Sequence, residues 1–532
     1  MVRSKSRLKA FFQLLYFSPG FLIALIQTLD NYSQVQYAYS IAIIYRTLAV
    51  LFVANIVLAI LFKKVFKDIQ KASLVLFLTN VFFFSYLPIS NLISKTGISL
   101  HPTAVSIVSV ATGLIILLVI AFICLRIKNL SFINLIMAIA LTGFLGYVAY
   151  GLIHFAQVQK NLVAERQKLI DQELDQMGFN QNAKKPDIYF VVFDGYVRHD
   201  VAQELYGFDN PLEDNLKEKG FVVFDKSRSN YDQTLLSLSS NLNLDYLDVI
   251  YKSRGKKTDE VDRNLEIDAI LNSKVENLLK SFGYKTANVR SYTWGTDSFN
   301  DDYVYSRPQE LNQFEVLLFR DTMLRPYFEF VPQGGSFFKG DRQVARVEYS
   351  LKSIPKMADI AEPTFTFAHI MSPHPPFVFD STGLKNQDVL MELVDGSRNA
   401  DYILQYKEQV LGLNQRIEKM TDEILAKYKG EEVQPIIIYQ SDHGPSSTFD
   451  WRDTTYSDLP YHERMSILNA IYLPENLRKD LDQNSDISSV NTYRFLFNKV
   501  FSANYPILPN KILWSDWDDP LNFTDVTKST QR

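Results

Sequence analysis

Five apolar runs fill the first 156 or so residues, at about 11–29, 41–62, 73–94, 103–125 and 131–155. Each is close to the roughly 20 residues with which a helix crosses the hydrocarbon core of a bilayer. No other feature restricts the fold so severely, because a segment in lipid must satisfy its own backbone hydrogen bonds. The runs predict a five-helix transmembrane domain over residues 1–156, and the charges between them predict its orientation. Arg3, Lys5, Arg7 and Lys9 precede the first run, Lys63, Lys64, Lys67 and Lys71 follow the second, and Arg126 and Lys128 follow the fourth. The opposite loops hold only Lys95. By the positive-inside rule the amino terminus is cytoplasmic, and everything after the fifth helix lies outside.

Ser18-Pro19-Gly20 in mid-span, with no small-residue cleavage site, makes the first run a retained and kinked helix, not a signal peptide. Arg46, near the outer end of the second span, and His154, near that of the fifth, either snorkel to the interface or meet a lipid head group. The single cysteine, Cys124, falls in the fourth run, so the outer part has no disulfide. That fits a multi-pass protein of a bacterial inner (cytoplasmic) membrane better than a eukaryotic secretory route. A net charge of −4 carries no sign of nucleic-acid binding.

Residues 157–185 are polar, with Val163, Leu169, Ile170 and Leu174 spaced for one helix face, and read as an interfacial linker helix. Pro186 opens a soluble domain, 186–510. Its apolar runs Ile188–Phe193, Phe221–Phe224, Tyr284–Val289, Thr364–Ile370, Ile436–Ile438 and Asn469–Leu473 have the length of strands. Helical patterns lie between them, the clearest being Tyr406, Val410, Leu413, Ile417, Met420 and Ile424. Alternation of this kind predicts an α/β domain whose mostly parallel sheet is covered by helices on both faces. Residues 511–532 read as an acidic, weakly patterned tail.

Acids and imidazoles collect at the ends of these strands. Asp194-Gly195 ends the first, His369 and then His374 close Thr364–Ile370, and Asp442-His443-Gly444 follows Ile436–Gln440. Open α/β sheets bind ligands at the carboxyl ends of their strands, so one crevice is expected to gather these groups. An adjacent carboxylate and imidazole can face one divalent metal, or can simply form a polar turn. Between them runs Ser229–Asn241, whose Thr234 stands at a predicted helix start, where a hydroxyl and the helix dipole favour an anion. Ser237, Ser239 and Ser240 read as small packing residues. Tyr292, Trp294 and Asp297 are either a head-group pocket or plain packing.

At these positions the chain resembles the alkaline phosphatase superfamily in its sulfatase-like branch, and more narrowly the membrane lipoteichoic acid synthases and phosphoethanolamine transferases. The resemblance implies an alkaline-phosphatase/sulfatase-like catalytic domain with one divalent ion, zinc or manganese, held by Asp194, Thr234, Asp442 and His443. It also implies a threonine nucleophile at Thr234. Ser372-Pro373-His374-Pro375-Pro376 matches a phosphate-binding histidine at His374, and Tyr461–Ile467 matches the position of another active-site histidine at His462. Two departures stand out. Those transferases usually carry Glu where Asp194 stands, and Thr234-Leu235-Leu236-Ser237-Leu238 lacks the Cys, Pro and Arg that sulfatases need for their aldehyde.

The expectation that follows is a phosphotransferase moving a phospholipid head-group phosphate, of phosphoethanolamine or phosphoglycerol type, through phosphothreonine onto an envelope glycan or lipid. His369 or His462 would serve as acid or base. A phosphoester hydrolase with the same residues is one alternative. A non-catalytic envelope-assembly protein is the other.

Overall fold

The computed structural model describes residues 2–36, 39–95, 102–253, 263–293, 295–298, 300–308, 310–326, 340–386, 400–449, 458–478, 481, 486–517 and 519–531. Trp294 lies outside them. The chain divides into two compact units, Met1–Val163 with Leu311–Phe337, and Ala164–Glu310 with Phe338–Arg532.

The first unit is helical: α1 (Val2–Ser33), α2 (Tyr45–Phe66), α3 (Ile69–Phe84), α4 (Tyr86–Ser94), α5 (Pro102–Leu125) and α6 (Ser131–Met177). Among the described residues, three helical stretches are long and apolar enough to cross a membrane: Ile41–Phe66, Ala104–Ile123 and Ser131–Met177. The pair α3 and α4, bent by 51°, meets the same test only when taken together, as one broken span or a re-entrant loop. The first expected span, 11–29, falls in α1, a single helix that carries Pro19 inside it. A Cβ on Gly20 would stand 2.6 Å from the Leu76 side chain, so α3 presses on α1 at the Pro-Gly step. Val53, Val57 and Ile60 of α2, Ile115, Leu118 and Phe122 of α5, and Phe132, Ile136 and Ile139 of α6 are exposed. Apolar surface on that scale is at home in lipid, not in water.

Some polar groups inside this unit pair across its helices. Asn80 Nδ2 donates to Asn55 Oδ1 (2.7 Å) between α2 and α3. Arg46 does not end in open interface. It forks onto the carboxylate of Glu315, Nε to Oε1 at 2.6 Å, and Asn312 donates to the Ile43 carbonyl (2.9 Å). The short helix Gln313–Asp321 bearing Glu315 opens with a capping box, Asn312 and Glu315 holding each other's amides.

α6 runs unbroken from the last apolar stretch through Met177, so most of the predicted linker continues that helix. Ile170 and Leu174 are buried as the pattern predicts, whereas Leu169 and Val163 are exposed.

The second unit is built on a seven-stranded sheet. Its strands are β1 (Ile188–Phe193), β2 (Phe221–Val223), β3 (Lys285–Val289), β4 (Tyr303–Tyr305), β5 (Thr364–Ile370), β6 (Ile436–Gln440) and β7 (Asn469–Tyr472). Their order is β2-β7-β6-β1-β5-β3-β4, parallel except for β7, which runs antiparallel to both neighbours. β1 is central and wholly buried, as a strand without alternation must be. Tyr189, Val191 and Phe193 face the stripe of helix Ala400–Lys427, whose Tyr406, Val410, Leu413, Ile417, Met420 and Ile424 are all buried. Phe190 faces the other way, against Phe367 (5.7 Å) and Tyr493 (5.4 Å) of helix Thr492–Phe501. Helices therefore cover both faces. Residues 511–532 are part of this unit: Ile512, Trp514 and Val526 join Phe449 and Met465 in a small core, and β8 (Leu513–Trp514) pairs with β9 (Thr524–Asp525).

Candidate metal centre and nucleophile

Register brings the chemistry together. Val192 of β1 lies opposite both Gln440 of β6 and His369 of β5, so the residues that leave β1 and β6, Asp194 and Asp442, emerge side by side. Gly195, at φ +71°, turns the chain in a conformation that a side chain disfavours, and its amide donates to Asp442 Oδ1 (3.1 Å). The amide of Tyr196 donates to Ser441 Oγ (2.8 Å), which ties the two strand ends a second time.

Gly444 is small for another reason. The backbone of 463–466 presses on it, so that a Cβ there would lie 2.1 Å from the carbonyl oxygen of Glu463. Its amide donates to the Arg464 carbonyl (2.6 Å). Glu463 anchors the loop that follows, accepting from the amides and hydroxyls of both Ser447 and Thr448 at 2.6–2.9 Å.

Asp194, Asp442 and His443 are buried, and one ligand atom of each lies within 4.8 Å of the others. Nδ1 of His443 lies 3.0 Å from the Gly444 carbonyl, which can only accept, so Nδ1 carries the proton and Nε2 presents a lone pair. That lone pair is 3.2 Å from Asp442 Oδ2, a buried oxygen that meets no hydrogen-bond donor on the protein. Asp194 Oδ1 is 3.8 Å away. Two carboxylates and an imidazole nitrogen, converging with their acceptors towards each other, form a grouping that can hold a divalent cation, and the donor set fits zinc or manganese.

Thr234 opens the helix Thr234–Leu242 and is partly exposed where the trio is buried. Its Oγ1 lies 3.1 Å from His443 Nε2. The approach to it is fixed by Ser229, whose hydroxyl donates to the Asp442 carbonyl (2.6 Å), and by the carboxy-terminal segment, where the Leu513 amide donates to Asn230 (2.9 Å) and Gln233 to Ser515 Oγ (3.2 Å). Ser237, Ser239 and Ser240 are buried within the helix packing.

His369 stands behind Asp194: Nε2 is 3.3 Å from Asp194 Oδ2, off the axis of a hydrogen bond, and Nδ1 is 3.0 Å from Thr296 Oγ1. Burial pulls its pKa down, but contact with Asp194 and the charges of Asp194, Asp442 and Asp297 outweigh that and raise it. His374 lies on a partly exposed loop, with its amide donating to the Asp194 carbonyl (3.0 Å) and Nδ1 to the Pro375 carbonyl (2.7 Å). His462 is buried elsewhere, Nε2 3.6 Å from Glu204 and Nδ1 3.5 Å from Ser466 Oγ. The structure thus gathers Asp194, Asp442, His443, Thr234 and His369, sets His374 on an adjoining loop, and does not bring His462 against the trio. Asp297 pairs with Arg290 (3.5 Å), and Tyr292 lies between the guanidiniums of Arg290 and Arg346, 4.8 Å from each.

Sequence reasoning missed Arg464. It is 3% exposed, and Nη2 reaches His443 Nε2 at 3.1 Å. It sits two residues after His462 in the same stretch, and a buried arginine beside an Asp-His pair is the signal that marks it.

Neither a family model nor a curated protein sequence matches the chain. Its structural neighbours include phosphoethanolamine transferases and a phosphonate monoester hydrolase. The C-terminal periplasmic domain of EptC from Escherichia coli, in complex with Zn, is 14% identical over 66% of this chain and 94% of that one, with a TM-score of 0.43. The integral membrane lipooligosaccharide phosphoethanolamine transferase A from Neisseria meningitidis is 14% identical over 93% of this chain and 99% of its own, with a TM-score of 0.39. The phosphonate monoester hydrolase of Agrobacterium radiobacter is 11% identical over 62% and 80%, also at 0.39. Likeness of this degree assigns no activity, which has to come from the chain's own site.

Proposed function

We propose that the chain is a membrane-anchored, metal-dependent transferase that moves a substituted phosphate from a phospholipid head group, through Thr234, to an envelope glycan or lipid. The observation that carries this reading is the Thr234 hydroxyl 3.1 Å from His443 Nε2, at the mouth of a buried trio of acceptors. Asp194, Asp442 and His443 would hold the metal, with the Thr234 oxygen as a further ligand. When bound, the ion supplies a lowered hydroxyl pKa and neutralises charge on the phosphoryl oxygens.

The chain's residues do the rest. Thr234 Oγ1 forms a bond to phosphorus as the bond to the diacylglycerol oxygen breaks, and that oxygen leaves with a proton. The first-turn amides of helix Thr234–Leu242 favour the anion so formed. His374 binds a phosphate oxygen from its loop. His369, with Nε2 3.3 Å from Asp194 Oδ2 and Nδ1 on Thr296 Oγ1, backs Asp194; proton transfer is the lesser role for it. In the second half an acceptor hydroxyl oxygen bonds to phosphorus, the bond to Oγ1 breaks and the threonine regains its proton. The membrane helices hold the donor lipid's compartment, with the amino terminus cytoplasmic and the α/β unit on the outer face of the inner membrane.

Diacylglycerol release from phosphatidylethanolamine and phosphatidylglycerol in mixed micelles tests the reading. Release that depends on added zinc or manganese and disappears in Thr234→Ala supports it. Release that survives in Thr234→Ala removes the nucleophile.

A further inference from the structure

Trp514 and Trp517 of the carboxy-terminal segment are placed in opposite ways. Trp514 is buried and packs on Phe449 (5.1 Å) and Tyr461 (5.0 Å). Trp517 is 60% exposed, although a ring of that size is usually taken largely out of water. The chain around it is well fixed. Ser515 donates from its amide and its hydroxyl to Asp232 Oδ1, both at 3.3 Å. Gln233 Nε2 donates to Ser515 Oγ (3.2 Å) and to the Asp516 carbonyl (3.3 Å). The indole lies 5.6 Å from the guanidinium of Arg263, which is itself held: Nη2 donates to Gln233 Oε1 (2.9 Å), and Nη1 stands 3.5 Å from Glu266 Oε2. The ties from the segment and from Arg263 thus meet at Gln233, the residue before Thr234.

We infer that Trp517, with Asp516 and Arg263 beside it, is the platform on which the acceptor binds, and that the acceptor is a sugar chain. This rests on the reading of Thr234 as the residue that carries the phosphate. A sugar ring has an apolar face of C–H groups and a rim of hydroxyls. The indole offers a flat apolar surface to the face, while the exposed Asp516 and the partly exposed Arg263 offer a hydrogen-bond acceptor and donors to the rim. An acyl chain would match the ring alone and would bring both charges into apolar surroundings, at a cost in desolvation. Because the platform is tied to Gln233, a sugar seated on it brings its hydroxyls towards the phosphoryl group on Thr234. The buried Trp514 and the hydrogen bonds of Ser515 keep the platform from shifting as chains of different length bind, which favours a repeating glycan over a single small molecule.

The test uses the full-length, zinc-loaded chain in detergent, with intact mass spectrometry to follow the head-group phosphate on Thr234. The adduct is formed from phosphatidylethanolamine and phosphatidylglycerol, and its loss is then timed after adding either the delipidated, water-soluble glycan fraction of a bacterial envelope or diacylglycerol. Loss to diacylglycerol reverses the first step and makes no use of the platform. In Trp517→Ala the glycan concentration for half-maximal loss is expected to rise about tenfold with the limiting rate little changed, while loss to diacylglycerol keeps its wild-type rate. Trp517→Phe keeps a smaller ring and is expected to fall between the two. Glycan-driven loss that is the same in Trp517→Ala as in the wild type overturns the inference. So does an equal slowing of loss to diacylglycerol, which would put the ring on the donor lipid, and so does a wild-type adduct that diacylglycerol discharges and glycans do not. Should Trp517→Ala fail to fold, Trp517→Phe decides alone, and an unchanged half-maximal concentration there counts against the inference. A wild type that forms no adduct, or an adduct that persists in Thr234→Ala, is a different failure: it removes the nucleophile, and the inference with it.

Discussion

The amide of Gly195 donates to the carboxylate of Asp442 over 3.1 Å, so the residue that turns the chain away from Asp194 also holds the second acid of the trio. At φ +71° this turn costs a side chain about 1–2 kcal/mol. Gly195→Ala is expected to lower the denaturation midpoint accordingly and to weaken zinc binding severalfold, because the displaced amide releases Asp442. A shifted midpoint with unchanged zinc affinity would show that Asp442 does not depend on this turn.

Gly444→Ala meets a harder obstacle, since its Cβ would stand 2.1 Å from the Glu463 carbonyl oxygen and 3.1 Å from that of Ser466. Backbone has to move, at a cost of about 1–3 kcal/mol. Thermal melting should show the loss, and His443, the preceding residue, should lose zinc affinity with it. Melting that matches the wild type would mean the two segments are not held against each other.

Glu463→Gln looks conservative, but the carboxylate accepts from two amides and two hydroxyls of Ser447 and Thr448, and from Tyr206 as well. A glutamine turns one of its ends into a donor that faces donors. We expect a loss of about 1–3 kcal/mol by thermal or chemical unfolding, from unsatisfied buried groups. Wild-type stability would show that the loop tolerates losing its acceptor.

Glu213 gives a pH signature. Burial pushes its carboxyl up to about 7, against a hydrogen bond from the His199 amide that pulls it down. Between the ordinary carboxylate value and about 7 the folded state holds a proton that the unfolded state has released, so this group's contribution to stability declines as pH rises through that window. Glu213→Gln keeps the acceptor for His199 and removes the titration. The wild type should therefore lose stability relative to this variant between pH 5 and 7.5, and parallel melting curves across that range would contradict it.

How much of this was legible in sequence differs from element to element. Uninterrupted β-branched and aromatic runs such as Ile436–Ile438 announced buried strands, and the stripe from Tyr406 to Ile424 announced its helix, because burial imposes period on composition. Short β4 carries no such run, with Tyr303, Val304 and Tyr305 only half-buried at the sheet edge. The strand ends located Asp194, Asp442 and His443, and Thr234 does begin a helix. Arg464 and the carboxy-terminal strand pair were hidden for one reason: each is defined by partners remote in sequence, Arg464 by Asp232 and His443, and Leu513 by Asn230. Likewise, proximity of Arg46 to Glu315 depends on a pairing 269 positions apart, which no local pattern records.

The central claim is that Thr234 carries the phosphate, and intact mass spectrometry tests it most directly. Purified wild type and Thr234→Ala would each be incubated with zinc or manganese and a mixed bacterial phospholipid extract, without acceptor. The account predicts a mass increment equal to one head-group phosphate on the wild type and none on Thr234→Ala, with the increment lost when a glycan or lipid acceptor is added. The same increment on Thr234→Ala, or undiminished head-group transfer by that variant, would contradict it.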